Sequence, residues 1–213
     1  MRLFAAILLD HEMRRALTGV QQALRAAGAR ANYTRAENLH LTLAFLGETD
    51  DLALARHALA YCTGAPFALT LTHVGRFGNL WWVGADGGEA LERLALCTQD
   101  AFRRAGFPIE RRAFRAHITL ARGLSLTAPP RLEIPSVRMA VREVSLMRSD
   151  RAPGGGVTYT QLGSVKLHSG RRVKIWPCRR AGLFIRRIFC YNKTEGCRAV
   201  LISAHAVEDG TCQ

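Results

Sequence analysis

The chain has 213 residues, 48% of them hydrophobic and 22% charged, enough apolar material for one packed domain with a tail or for two lobes that share a core. Such a composition excludes a disordered chain and a fibre. Thirty Lys plus Arg oppose seventeen Asp plus Glu, a net charge of +13. Only Lys166, Lys174 and Lys193 are lysines, so the positive charge is carried almost wholly by guanidinium groups, which suit phosphate. A polyanion such as RNA is one reading of that charge, and an arginine-biased genome is the other. No apolar run approaches the roughly 20 residues of a bilayer span. The first ten residues are broken by Asp10-His11-Glu12, too soon for a secretory signal. The expectation is a soluble, cytoplasmic protein, monomeric and without membrane contact.

In chain order, residues 2–9 (RLFAAILL) read as a buried strand. Met13, Leu17, Val20 and Leu24 mark one helical face over 11–27, stopped by Gly28. Residues 39–46 (LHLTLAFL) begin with a period of two and predict a strand. A helix over 52–62 precedes strands at 66–74 and 80–83. The spacing then predicts a helix over 89–105, ended by Gly106 with Pro108 just beyond. Strands follow at 114–121, 137–147 and 157–167. Gly154-Gly155-Gly156 is a loop, not a nucleotide-binding P-loop, because no Lys follows it. This mixture predicts α+β with antiparallel sheets.

A boundary is expected near residue 168. Residues 1–168 hold 21 basic and 14 acidic side chains; residues 169–213 hold 9 and 3. The second segment reads as a basic tail of unassigned role that need not be ordered. Four of the six cysteines lie in it (Cys178, Cys190, Cys197 and Cys212). None forms a Cys-x-x-Cys pair, so zinc is not supported.

The most informative feature is an internal echo. His40-Leu41-Thr42-Leu43-Ala44 returns as His117-Ile118-Thr119-Leu120-Ala121. Residues two apart on a strand share a face, so each motif presents an imidazole and a hydroxyl while its aliphatic residues face the core. Two imidazoles at one pocket suit phosphodiester hydrolysis: one takes a proton from water, the other gives one to the departing alkoxide. Thr42 and Thr119 would bind non-bridging oxygens, with Arg122 against the growing charge. Arg122 is an odd number of residues from His117, so it needs a strand end or a bulge to reach that pocket. His11, His57, His73, His168 and His205 are scattered, which gives a metal no ligand set. Phe45 and Trp82 read as core aromatics or as platforms for a base. Arg30, Arg35, Arg76, Arg111, Arg112 and Arg115 read mostly as a solvated basic surface.

Asn38-Leu39-His40-Leu41-Thr42-Leu43-Ala44-Phe45-Leu46-Gly47, taken with His117-Ile118-Thr119-Leu120-Ala121-Arg122, resembles the two-histidine phosphoesterases. The nearest likeness is to the RNA 2',3'-cyclic phosphodiesterases, once called 2'-5' RNA ligases. The resemblance spans about residues 1–167 and includes Trp82-Val83-Gly84 and Tyr159-Thr160-Gln161-Leu162. It implies a bilobal fold in which two antiparallel sheets with outer helices, related by a pseudo-twofold axis, form a central cleft. It also implies cofactor-free, metal-independent opening of an RNA 2',3'-cyclic phosphate, or of a small cyclic nucleotide, to a 2'-phosphate. By the resemblance His40 is the proton donor and His117 the proton acceptor, while Thr42, Thr119, Arg122 and Phe45 bind substrate. Ala116 stands where the family often has Pro. Two alternatives remain at this level: 2'-5' RNA ligation through the same site, and an RNA-binding module without catalysis.

Overall fold

The computed structural model describes residues 1–126, 132–151 and 155–168, together with the backbone of 175–180, 183–192 and 196–201. The chain divides into two compact units, Met1–Ser169 and Gly170–Gln213.

The first unit opens with strand β1 (Arg2–Leu8) and helix α1 (His11–Ala26). The Asp10 carboxylate caps α1 by accepting the Met13 N–H at 2.8 Å. Met13, Leu17, Val20 and Leu24 are buried, as their spacing predicts. Gly28 adopts φ +84° just after the helix, where the Ala29 N–H reaches back to the Leu24 carbonyl and a residue with a Cβ would be strained. Next come β2 (Arg30–Tyr33), a 3₁₀ turn (Ala36–Asn38), β3 (His40–Glu48) and α2 (Leu52–Leu59). The hairpin β4 (Phe67–Phe77) and β5 (Leu80–Asp86) leads into α3 (Gly88–Arg104) and β6 (His117–Ser125). The unit closes with β7 (Arg138–Val141), β8 (Glu143–Arg151) and β9 (Val157–Lys166).

These strands form one antiparallel sheet in the order β7-β4-β5-β6-β3-β1-β8-β9, with β2 added on β6. The α+β class and antiparallel pairing agree with expectation, but the ladder is continuous where two separate sheets were expected. Its centre is thin: β3 and β6 are joined through a single registered pair, Leu41 with Ile118. Residues 137–147, expected as one strand, are two. β7 pairs with β4 at one edge of the sheet, while β8 pairs with β1 and β9 near the other. Only Arg142 separates them. Two strands so close in sequence sit side by side in space, so the sheet curls until its ends approach. The result is a half-barrel with three helices: α3 packs on β3, α1 on β6, and α2 on α3 and β8. Leu3, Ala5, Ile7, Leu41, Leu43, Ile118 and Leu120 fill the helix side, each 2% exposed or less.

The second unit contains β10 (Ile175–Arg180), β11 (Leu183–Asn192) and β12 (Gly196–Leu201). They pair antiparallel in that order, an arrangement the sequence reading did not anticipate. No helix among the described residues is long and apolar enough to cross a membrane.

Candidate active site

The two His-x-Thr motifs open β3 and β6. Both run through the same burial sequence over their first six residues: part-buried, buried, part-buried, buried, buried, exposed. Leu41 and Ile118 sit opposite each other and point to the helix side. Pleating therefore turns His40, Thr42, His117 and Thr119 to the other, concave side. The seam that joins the two ladders thus carries both imidazoles and both hydroxyls on one face.

Each imidazole is oriented by the backbone in the same way. His40 Nδ1 lies 2.7 Å from the Asn38 carbonyl, and His117 Nδ1 lies 2.7 Å from the Arg115 carbonyl. A carbonyl only accepts, so Nδ1 carries the hydrogen in both rings and Nε2 is left for chemistry. His40 Nε2 is 3.0 Å from Thr42 Oγ1. Asn38 is itself tied to β9, its Nδ2 donating to the Val157 carbonyl at 2.7 Å.

The environments of the two rings differ. Leu8 pairs with His40 and Ala6 with Thr42, and Phe4, Ala6 and Met147 make a buried apolar floor on this side of the sheet. Phe4 and Tyr159 flank His40 at centroid distances of 4.9 and 5.1 Å. Burial holds the His40 pKa below the ordinary imidazole value; the Asn38 carbonyl pulls the other way, and the positive charges of His117 and Arg122 lower it further. His117 lies beside the Phe77 and Trp82 rings, at 5.3 and 6.1 Å. The Trp82 indole lies flat over Gly75, where a Cβ would come within 2.3 Å of the ring. The guanidinium of Arg115 stands 5.9 Å from the Phe77 ring.

Of the strand end or bulge that Arg122 was expected to need, the structure has the bulge. Ala121 pairs with Trp81 and Thr119 with Trp82, so Leu120 is the extra residue. The shift reverses the alternation, and Arg122, opposite Leu80, joins the concave face. A matching bulge at Leu43, between the pairs Ala5–Ala44 and Ala6–Thr42, turns Phe45 to the same face. Phe45 is 50% exposed and not the core aromatic that hydropathy alone would make it. The structure thus brings His40, Thr42, Phe45, His117, Thr119 and Arg122 to one side of the sheet. Sequence reasoning missed Phe4, Phe77 and Tyr159 as the frame of the imidazoles. They come from β1, β4 and β9, and only the sheet order places them. His73 lies near Trp82, at a centroid distance of 5.3 Å. Among the described residues no group of three or more His, Cys, Asp and Glu side chains is placed to hold a metal ion.

A half-barrel whose paired central strands present two His-x-Thr motifs is the architecture of a two-histidine phosphoesterase. The match to known proteins is at the same level: residues 13–153 fit the family model of the 2'-5' RNA ligase superfamily, and the chain belongs to that family. It is 35% identical to the RNA 2',3'-cyclic phosphodiesterase of Thermus thermophilus, over 78% of this chain and 90% of that protein. It is also 35% identical to the protein of that name from Escherichia coli, over 76% and 93%. The apo crystal structure of Escherichia coli LigT superposes with a TM-score of 0.67 at 30% identity, covering 79% of this chain and 98% of that one. A Thermus thermophilus structure gives 0.65 at 30% identity, covering 80% and 100%.

Proposed function

We propose that this protein hydrolyses the 2',3'-cyclic phosphate at the end of RNA, or of a small cyclic nucleotide, to a 2'-phosphomonoester, acting as a monomer and without a metal. The observation that carries the reading is the Leu41–Ile118 pair, which puts two imidazoles and two hydroxyls on one side of one seam. The names of the relatives support it, as do the LigT structures with 3'-AMP and with phosphate.

In this reaction His117 Nε2 takes a proton from water and the water oxygen attacks phosphorus. The bond from phosphorus to the 3'-oxygen breaks, and His40 Nε2 delivers a proton to that oxygen. The 2'-oxygen keeps the phosphate. Thr42, Thr119 and Arg122 hold the non-bridging oxygens and meet the negative charge that grows on them. Phe45 stacks on the base. The halves β6-β5-β4-β7 and β3-β1-β8-β9 act as two lobes related by a pseudo-twofold axis, with the substrate in the cleft between them.

One observation favours a second reading with the roles exchanged. The lowered pKa of His40 leaves its ring neutral in the empty site, which suits a base. In the first reading, the negative charge of the bound phosphodiester raises that pKa and loads the proton.

The test is incubation with 2',3'-cyclic AMP and with a cyclic-ended oligoribonucleotide in EDTA, followed by identification of the phosphate isomer. A 2'-phosphate is expected. No turnover in EDTA, or a 3'-phosphate product, overturns the proposal.

A further inference from the structure

We propose that Gln21 and Gln99 are positioning residues, each reaching from a helix to the bulged leucine of the other half's His-x-Thr strand and holding the bulge that aims Arg122 or Phe45 at the substrate. The inference rests on the phosphodiesterase reading of the site and extends it to two side chains that do not touch the reacting atoms.

The extra residue of a bulge drops out of the regular ladder, and its carbonyl needs a partner from elsewhere. At Leu43 that partner is the side chain of Gln99 on α3: Nε2 donates to the Leu43 carbonyl at 3.1 Å. At Leu120 the side chain is Gln21 on α1, a second donor to a carbonyl that the backbone already serves, with Nε2 2.8 Å from the Leu120 carbonyl and 2.8 Å from the Thr34 carbonyl. The Thr34 N–H also donates to the Leu120 carbonyl at 2.8 Å, so Gln21 closes a knot between α1, the end of β2 and the bulge. Gln21 is only 2% exposed, which gives its amide no water as an alternative.

Leu43 and Leu120 are both the fourth residue of their motif, and both carbonyls receive a glutamine amide. The sequence repeats the device. Gln21-Gln22-Ala23-Leu24-Arg25 returns as Gln99-Asp100-Ala101-Phe102-Arg103, in near step with the two histidines. The bonds cross over, since α1 serves β6 and α3 serves β3. Without the bulge, regular alternation would send Arg122 and Phe45 to the helix side, where the core lies. The bulge is the reason the cation is on the substrate's side, and the glutamine is the side chain that secures the bulge.

The experiment uses Gln21→Met and Gln99→Met, which keep length and remove the donor, alone and combined with Arg122→Gln and Phe45→Ala. A displaced guanidinium weakens transition-state binding, so Gln21→Met is expected to lower kcat about tenfold, with a smaller change in KM. A displaced Phe45 weakens ground-state stacking, so Gln99→Met is expected to raise KM several-fold and to leave kcat within about twofold. In the Arg122→Gln background the Gln21→Met loss shrinks to less than about twofold, because its target is gone. Gln99→Met likewise adds nothing to Phe45→Ala. A glutamine that only supports the fold would multiply each background by the same factor as in wild type, and that result overturns the inference. Should Gln21→Met fail to fold, the Gln99–Phe45 pair decides alone, and an unchanged KM in Gln99→Met overturns the proposal. Wild-type turnover in Arg122→Gln would instead count against the reading of the site itself.

Discussion

Replacing either histidine by alanine should abolish the same activity while damaging the fold to different degrees. In the proposed mechanism each imidazole moves one proton, a contribution of about 10²–10⁴-fold, or about 2.7–5.4 kcal/mol of barrier. The two losses should not add in the double variant, because the protons move in one displacement. In stability, the surroundings differ. His40 sits against Phe4 and Tyr159 and over the floor of Phe4, Ala6 and Met147. Its removal leaves the Asn38 carbonyl without a partner that now lies at 2.7 Å. Lost ring packing and one deprived carbonyl together should cost about 2–3 kcal/mol, discounted for the part of the ring open to the site. His117 lies at a more open place and has one comparable bond, to the Arg115 carbonyl, so its removal should cost about 1 kcal/mol or less. Initial rates on 2',3'-cyclic AMP in EDTA measure the first effect, and denaturant unfolding measures the second. A single variant retaining activity within about tenfold of wild type would refute the two-imidazole mechanism. Equal destabilisation by the two substitutions would refute the assigned asymmetry of their environments.

The depressed pKa of His40 also makes stability depend on pH. The unfolded chain takes up this proton near pH 6.5, whereas the folded chain resists it. Stability is therefore complete above about pH 6.5 and falls as the pH drops from there towards the folded value; thermal unfolding of wild type should show this acid-side loss, and His40→Ala should show less of it. Thr42→Val keeps the shape and removes the hydroxyl 3.0 Å from His40 Nε2, so turnover should fall about tenfold with little change in fold, checked by activity beside circular dichroism. Arg122→Gln should lower kcat about 10- to 100-fold, with Lys restoring part of it as a point charge, since a charged hydrogen bond contributes about 1.5–3 kcal/mol; equal rates for Gln and Lys would show that charge plays no part.

Much of this site was legible before any coordinates. The period-two patterns of 39–46 and 114–121 located both motif strands, and parity showed that Arg122 needs a strand end or a bulge. What parity could not show was the bulge at Leu43, because a leucine followed by an alanine looks like ordinary core until its partner strand is known. The aromatic frame was hidden for a related reason. Phe4 and Tyr159 read as regular strand residues, Phe77 lay beyond the strand expected at 66–74, and only the sheet order brings β1, β4 and β9 to the same side as the seam. β2 escaped notice because Arg30-Ala31-Asn32-Tyr33 is only four residues long, too short for its alternation to stand out; backbone pairing to β6 makes it a strand. Residues 137–147 looked like one strand because apolar residues resume at Val144, directly after the Arg142-Glu143 pair at which the pairing partner changes.

The two imidazoles are equivalent in register and in their Nδ1 contact, so in the proposed mechanism only their surroundings can divide acid from base. Each ring has two aromatic neighbours, but burial lowers the pKa of His40, whereas His117 is the more open of the two. An acid is dispensable when the departing oxygen is stable as an anion, and a base is not. A nucleotide diester with a 4-nitrophenolate leaving group therefore separates the roles. If His40 is the acid, His40→Ala should recover most of its lost rate on this substrate while His117→Ala stays inactive. Recovery in His117→Ala alone would exchange the assignments and make the buried ring the base. Recovery in neither would mean that both rings act before the leaving group departs, and the division of labour built on their environments would fall.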